Sequence, residues 1–152
     1  MGTRHKQTVI NQEGEVKIAQ YGQWDGYPSG QGKDILNYLK TGDLDKFKEN
    51  LKSVKVATDK QLQEIDKVKD WSQEYPYLSR DCGSKIYRLI ENGEVPFVCH
   101  ISEDEALKWC EGFYTIDFQK RKFISEYHGI KKSYSLDKLP TKKAYLKAFE
   151  ND

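Results

Sequence analysis

Tyr21-Gly22-Gln23-Trp24-Asp25-Gly26-Tyr27-Pro28-Ser29-Gly30-Gln31-Gly32 crowds four glycines, one proline and three large aromatics into twelve residues. Glycine loses the most backbone freedom when it is ordered, and proline lacks the N–H that a helix interior or a sheet ladder needs. No regular element runs through this stretch, so it must be a loop whose shape is held from both sides. On its N-terminal side, Thr8 and Ile10 alternate against Val16, Ile18 and Gln20 across the turn-forming Asn11-Gln12-Glu13-Gly14, which predicts a β-hairpin. On its C-terminal side the period becomes helical, with Ile35, Leu36 and Leu39 on one face and Gly42 placed as the stop.

Further along, Leu44, Phe47 and Leu51 mark a second short helix, followed by a brief Val54, Val56 segment. Thr58 with Gln61 is a capping-box signal for a helix bearing Leu62, Ile65 and Trp71, which Pro76 ends. Another helix is expected from about Asp81, then a strand from Val95 to Ile101 in which Pro96 demands an edge position, then a helix from Ser102 toward Trp109. The last third reads as an antiparallel meander, Phe113 to Phe118, Phe123 to Tyr127 and Lys132 to Leu136, with a terminal helix after Pro140. The expected fold is α+β: an N-terminal β-hairpin, a helical middle, a C-terminal antiparallel meander and a terminal helix, as a single domain over residues 1–152.

Composition narrows the setting. A chain of 152 residues buries about 68–70% of its unfolded surface around one core. It has no apolar run near the roughly 18 residues of a membrane span and no basic start followed by an apolar stretch, so no membrane partner is expected. Cys82, Cys99 and Cys110 are odd in number and lack CxxC spacing, which argues against a disulfide framework or a zinc knuckle and favours a reducing, cytoplasmic setting. The histidines His5, His100 and His128 stand far apart, so neither a metal nor any other cofactor is expected. Charge is uneven: residues 120–147 hold nine Lys or Arg against Glu126 and Asp137, a local +7 within a total of +1. Such asymmetry suits an anionic partner, a nucleic acid or a nucleotide, with Lys120, Arg121, Lys122, Lys131 and Lys132 as the basic surface, and it equally suits a solvated sheet face.

The loop at 21–32 admits three readings. It is a structural loop in which Trp24 and Tyr27 bury themselves and Asp25 caps a turn, a glycine cradle for phosphate ahead of a helix, or a recognition loop on a rigid scaffold. It lacks the Lys-Ser/Thr ending of a P-loop and the G-x-G-x-x-G spacing of a dinucleotide site. The candidate binding residues are Arg4, Tyr21, Gln23, Trp24, Asp25, Tyr27, Asp81 and Cys82, with no residue assigned as catalytic. Cys82 enters because a thiol near a helix N-terminus has a lowered pKa, whereas a small buried cysteine is inert.

The opening Gly2-Thr3-Arg4, the segment Ala19-Gln20 running into the Tyr21 to Gly32 loop, Arg80-Asp81-Cys82-Gly83-Ser84-Lys85-Ile86 and Trp109-Cys110-Glu111-Gly112-Phe113-Tyr114-Thr115-Ile116-Asp117 together resemble a group of small proteins of phages and prophages of Gram-positive bacteria. The resemblance spans most of the chain and implies a setting, with no reaction to transfer. Small phage proteins of this kind are often accessory factors that disable host defence, including inhibitors that bind CRISPR nucleases. Two expectations follow. One is a non-enzymatic, anti-CRISPR-type inhibitor that docks on a host defence protein through Trp24, Tyr27 and the Lys-rich meander. The other is a small hydrolase or nucleotide-binding domain that uses the 21–32 loop as its pocket, with Asp25 as acid or base and Arg4 or Tyr21 orienting an anionic substrate. A pocket lined by Arg4, Tyr21, Asp25 and Asp81 would favour the second, and an exposed Trp24 on a flat surface the first.

Overall fold

The computed structural model describes residues 2–150. The N-terminal hairpin pairs β1 (His5–Ile10) with β2 (Val16–Gly22), and its turn is held by the Asn11 carboxamide, which accepts from the Glu15 N–H at 2.8 Å. A π-helical turn at Pro28–Gly32 leads into α1 (Lys33–Thr41), followed by α2 (Leu44–Leu51), β3 (Lys55–Val56), α3 (Asp59–Asp66), α4 (Trp71–Glu74) and a 3-10 turn at Pro76–Leu78. Then come α5 (Lys85–Glu91), β4 (Phe97–Val98), α6 (Glu103–Trp109), β5 (Gly112–Asp117), β6 (Lys122–Tyr127), β7 (Ile130–Ser135) and α7 (Lys142–Lys147). The α+β order is the expected one. Side-chain caps account for several of the helix starts: Asp43, Thr58, Ser102 and Thr141 each accept from the backbone N–H three residues on, a contact that contributes about 1 kcal/mol.

Strands from both ends of the chain join one sheet in the order β2-β1-β5-β6-β7, in which only β1 and β5 run parallel. The helical middle is therefore a long crossover between β1–β2 and β5. Val9, Ile18, Ile116 and Phe123 on one sheet face meet Ile35, Leu36, Phe47, Leu51, Ile86, Tyr87 and Tyr145 from the helices in a single core. Its aromatic contacts include Phe47 against Phe118 and Tyr87, and Phe123 stacked on Tyr145 with ring centroids 5.8 Å apart. The opposite sheet face is only partly covered. There α6 lies against the β1 end with Ala106 buried, and a groove of about 510 Å³ runs between Ile10, Val16, Leu107 and Phe113. No helix among the described residues is long and apolar enough to cross a membrane.

Four local expectations need correction. The buried face of β1 is His5, Gln7 and Val9, while Thr8 and Ile10 face the partly covered side, because the parallel pairing sets Gln7 and Val9 beside buried Tyr114 and Ile116. The helix expected to carry Leu62, Ile65 and Trp71 stops at Asp66, and Asp70, in the left-handed region at φ 58°, separates it from α4. The helix expected from Asp81 begins at Lys85, because Gly83 stands at φ 53°, outside helical space. The strand expected over Val95 to Ile101 contracts to β4, a two-residue parallel partner of β3.

Candidate functional site

The loop is fastened from beneath by polar side chains, of which Gln7 and Tyr114 are buried and Gln31 is half-buried. The Gln31 carboxamide oxygen accepts from the Ser84 N–H at 2.8 Å and from Gln7 Nε2 at 3.4 Å, while its Nε2 donates to the Trp24 carbonyl at 3.4 Å. The Tyr114 hydroxyl donates to the Gly26 carbonyl at 2.7 Å, and the Gly26 N–H donates to the Thr3 carbonyl at 2.9 Å. Gly22 faces the His5 ring so closely that a Cβ there would lie 2.0 Å from Nε2, and a Cβ on Gly32 would lie 2.3 Å from the Tyr145 hydroxyl. These two glycines are thus required by close approach. Gly30 and Gln31 N–H groups donate to the carbonyls of Tyr27 and Asp25, so they do not point free as a phosphate cradle requires.

What the loop presents outward is aromatic. Trp24 is 45% exposed, and its indole N–H donates to Asp81 Oδ1 at 2.6 Å. The reading in which Trp24 buries itself is therefore corrected, while Tyr27 is half-buried and donates its hydroxyl to Asp25 Oδ1 at 3.0 Å. That bond raises the Tyr27 hydroxyl pKa above its ordinary value. Gln23 accepts from the Tyr21 hydroxyl, and its backbone N–H donates to the Arg80 carbonyl at 3.0 Å, which ties the loop to the 79–82 segment.

Arg4 and Tyr21 line an open groove of about 410 Å³ with Ile101, Glu105 and Trp109. The Arg4 guanidinium sits 5.6 Å from the centre of the Trp109 ring, and Trp109 remains 54% exposed. Burial raises the Tyr21 hydroxyl pKa, while the nearby Arg4 and Arg80 cations pull it down. A smaller hollow of about 120 Å³ adjoins at Tyr21 and Ile101 and reaches Arg80, Cys99 and His100.

Asp81 and Cys82 belong to a different hollow, about 500 Å³, walled also by Ser72, Pro76, Ser79, Lys85, Arg88 and Leu89. Cys82 is buried, and burial pushes its thiol up to about 11, against smaller opposing effects of Gln20 and Lys85. The expected lowering of this thiol is reversed. Asp25 lines neither hollow, so Arg4, Tyr21, Asp25 and Asp81 do not share one pocket. Among the basic residues, Arg121 is paired with Asp137, whereas Lys120, Lys122, Lys131 and Lys132 are exposed with no ion pair among the described residues.

Sequence reasoning placed Trp109 only at a helix end, yet it forms the far wall of the Arg4 groove. The available signal was α6 itself, whose Ala106 alone is buried while Leu107 and Trp109 face out. Among the described residues no cluster of three metal-ligating side chains occurs. No protein family, curated protein or solved structure matches the chain.

Proposed function

We propose that this chain is a non-enzymatic accessory binding protein of a phage, a counter-defence factor of the anti-CRISPR type. It acts in the cytoplasm of the host bacterial cell by docking on a host effector through the face that carries Trp24, Tyr21, Arg4 and Trp109. One observation carries the reading: two tryptophans are 45% and 54% exposed, Trp24 held by its hydrogen bond to Asp81, and Trp109 under Arg4 on the wall of an open groove. Large aromatics fixed before binding are the residue type that dominates interface energetics, because little rotamer freedom is lost on contact. The phage setting comes from the sequence resemblance.

A second reading, a small hydrolase or nucleotide-binding domain, draws on the 500 Å³ hollow, where Lys85 and Arg88 stand beside Asp81. The loop N–H groups of Gly26, Gly30 and Gln31 are engaged with carbonyls, so a ligand would be held by that hollow beside the loop.

The test is affinity capture of the tagged protein from nuclease-treated host lysate, comparing the natural chain with Trp24→Ala/Trp109→Ala after both are shown to melt alike. A protein retained in stoichiometric amount is expected, its affinity falling by several hundred-fold with the double substitution, since each anchor contributes about 2 kcal/mol. Retention indifferent to both substitutions, or an empty capture, overturns the docking reading. Thermal stabilisation by a nucleotide that survives the tryptophan changes and vanishes in Lys85→Ala would move the function to the hollow.

A further inference from the structure

The two edges of the five-stranded sheet are treated differently. Along β2 the chain closes its own edge: the Ile101 N–H donates to the Ala19 carbonyl at 2.8 Å, and His100 Nε2 lies 3.1 Å from the Lys17 carbonyl. Along β7 none of the described residues does so. Tyr127 and Ile130 pair across the two-residue turn His128–Gly129, whose φ values are 46° and 83°. In such a hairpin the closing pair exchanges both backbone hydrogen bonds, and bonded pairs recur at every second residue. Ile130, Lys132 and Tyr134 therefore direct their N–H and C=O groups to β6, and Lys131, Ser133 and Ser135 direct theirs outward. The Ser135 carbonyl accepts from the Lys138 N–H at 3.1 Å. The remaining outward groups, those of Lys131 and Ser133 and the Ser135 N–H, have no backbone partner among the described residues.

This open ladder is strongly basic. Lys131 and Lys132 are exposed on it, Lys122 is paired opposite Ser135, and none of the three forms an ion pair among the described residues. Glu126, opposite Lys131, is the one acidic group on the neighbouring strand, and Asp137 is held by Arg121. At the other side of the sheet, α6 sets Glu103, Asp104 and Glu105 near β1, so the field runs from negative over β1 to positive at β7. An incoming acidic chain is steered to the β7 side.

We propose that the β7 edge docks an extended acidic segment of a partner protein, which adds a sixth strand on Lys131, Ser133 and Ser135 and sets carboxylates against Lys131 and Lys132. Main-chain hydrogen bonds hold such a segment, and cross-strand charge pairs select it. A second copy of this chain is disfavoured, because it would bring like lysines together, the device by which edge strands avoid self-association. The site is separate from the tryptophan face, and either can fail while the other stands.

The probe is a blocked eight-residue peptide of sequence Val-Glu-Glu-Val-Val-Glu-Glu-Val, whose adjacent Glu residues present carboxylates on both sheet faces, to Lys131 on one and Lys132 on the other, added to the full chain. Amide exchange at Lys131, Ser133 and Ser135 is expected to slow on binding, while the already bonded Lys132 and Tyr134 amides change little. Ser133→Pro removes one outward N–H at an edge position where proline is tolerated, so the protein should melt normally and bind the peptide about tenfold more weakly. Lys131→Glu/Lys132→Glu should lose the Glu peptide and gain its Lys counterpart, which decides the matter even if the proline variant does not fold. The proposal is overturned if the β7 amides gain no protection, or if Glu and Lys peptides bind the natural chain equally. Protection of those amides by self-association at high concentration, or by a single-stranded oligothymidylate in preference to the peptide, overturns it as well.

Discussion

Acidification should destabilise this protein through one residue, His5. Its ring is 1% exposed, with Gly22 packed against Nε2, the Tyr114 ring edge-on at 6.5 Å, and Gln7 Nε2 3.5 Å from Nδ1. Nε2 is buried without a partner, and burial lowers the imidazole pKa from 6.5 to about 4, opposed only in part by the Asp25 carboxylate. The native state therefore holds His5 neutral where the unfolded chain takes up a proton. Since stability rises with pH wherever the unfolded state binds more protons, acidification removes it, with the loss beginning near pH 6.5 and complete below about pH 4. The gap sets an upper bound of about 3 kcal/mol, of which about 2 kcal/mol is already lost at pH 5. The assay is urea unfolding at pH 7.5 and pH 5.0 for the natural chain and His5→Gln, which carries a polar, non-titrating side chain. The natural chain should lose about 2 kcal/mol more than the variant over that interval. Equal losses would refute the reasoning, because the remaining titrating groups are common to both proteins.

Tyr145 donates its hydroxyl to Ser125 Oγ at 2.8 Å in the core, so Tyr145→Phe should lower stability by about 1–2 kcal/mol, and Ser125→Ala in the same background should add little further loss. Denaturant titration of the double-mutant cycle checks this, and fully additive losses would show that the pair is not coupled. Cys82, with its thiol pushed up to about 11, should remain unmodified by iodoacetamide at pH 7.5 in the native state and react only on unfolding. Peptide mass spectrometry after a timed quench reads the outcome, and fast native labelling at Cys82 would contradict its burial.

Signals within about one turn or one hairpin were legible. Thr58 and Gln61 form the reciprocal capping box, α1 stops at Gly42, and the meander falls within a residue or two of β5, β6 and β7. What escaped depends on residues distant in sequence. Nothing local says that His5 pairs in parallel with Gly112, yet that pairing turns His5, Gln7 and Val9 inward and joins the two ends of the chain in one sheet. Gly83 delays α5 by adopting φ 53° where it meets the Gln31 carboxamide, and so removes Cys82 from the helix terminus that would have activated it. Of the site, Tyr21, Trp24 and Arg4 were recognisable by residue type, but the grouping of Arg4 and Tyr21 with Trp109 required α6 to turn its apolar side outward.

The composition of the loop's underside bears on how the aromatic face works. A loop fixed by hydrophobic contacts alone would need Trp24 or Tyr21 turned inward, because they are its largest apolar groups. Here the fixing is done by Gln31, bridging Gln7, Ser84 and Trp24, and by the Tyr114 hydroxyl on Gly26, which leaves Trp24 free to face out. A carboxamide that bridges three separate segments, as Gln31 does, fixes their relative placement directionally, which apolar contact alone does not. Glycines at positions 22, 26 and 32 let that backbone lie against the His5 ring, the Thr3 carbonyl and the Tyr145 hydroxyl without a side chain between them. The conformational cost of presenting Trp24 is therefore met during folding, and the partner proposed to dock there would gain the ring's contact area with little further ordering.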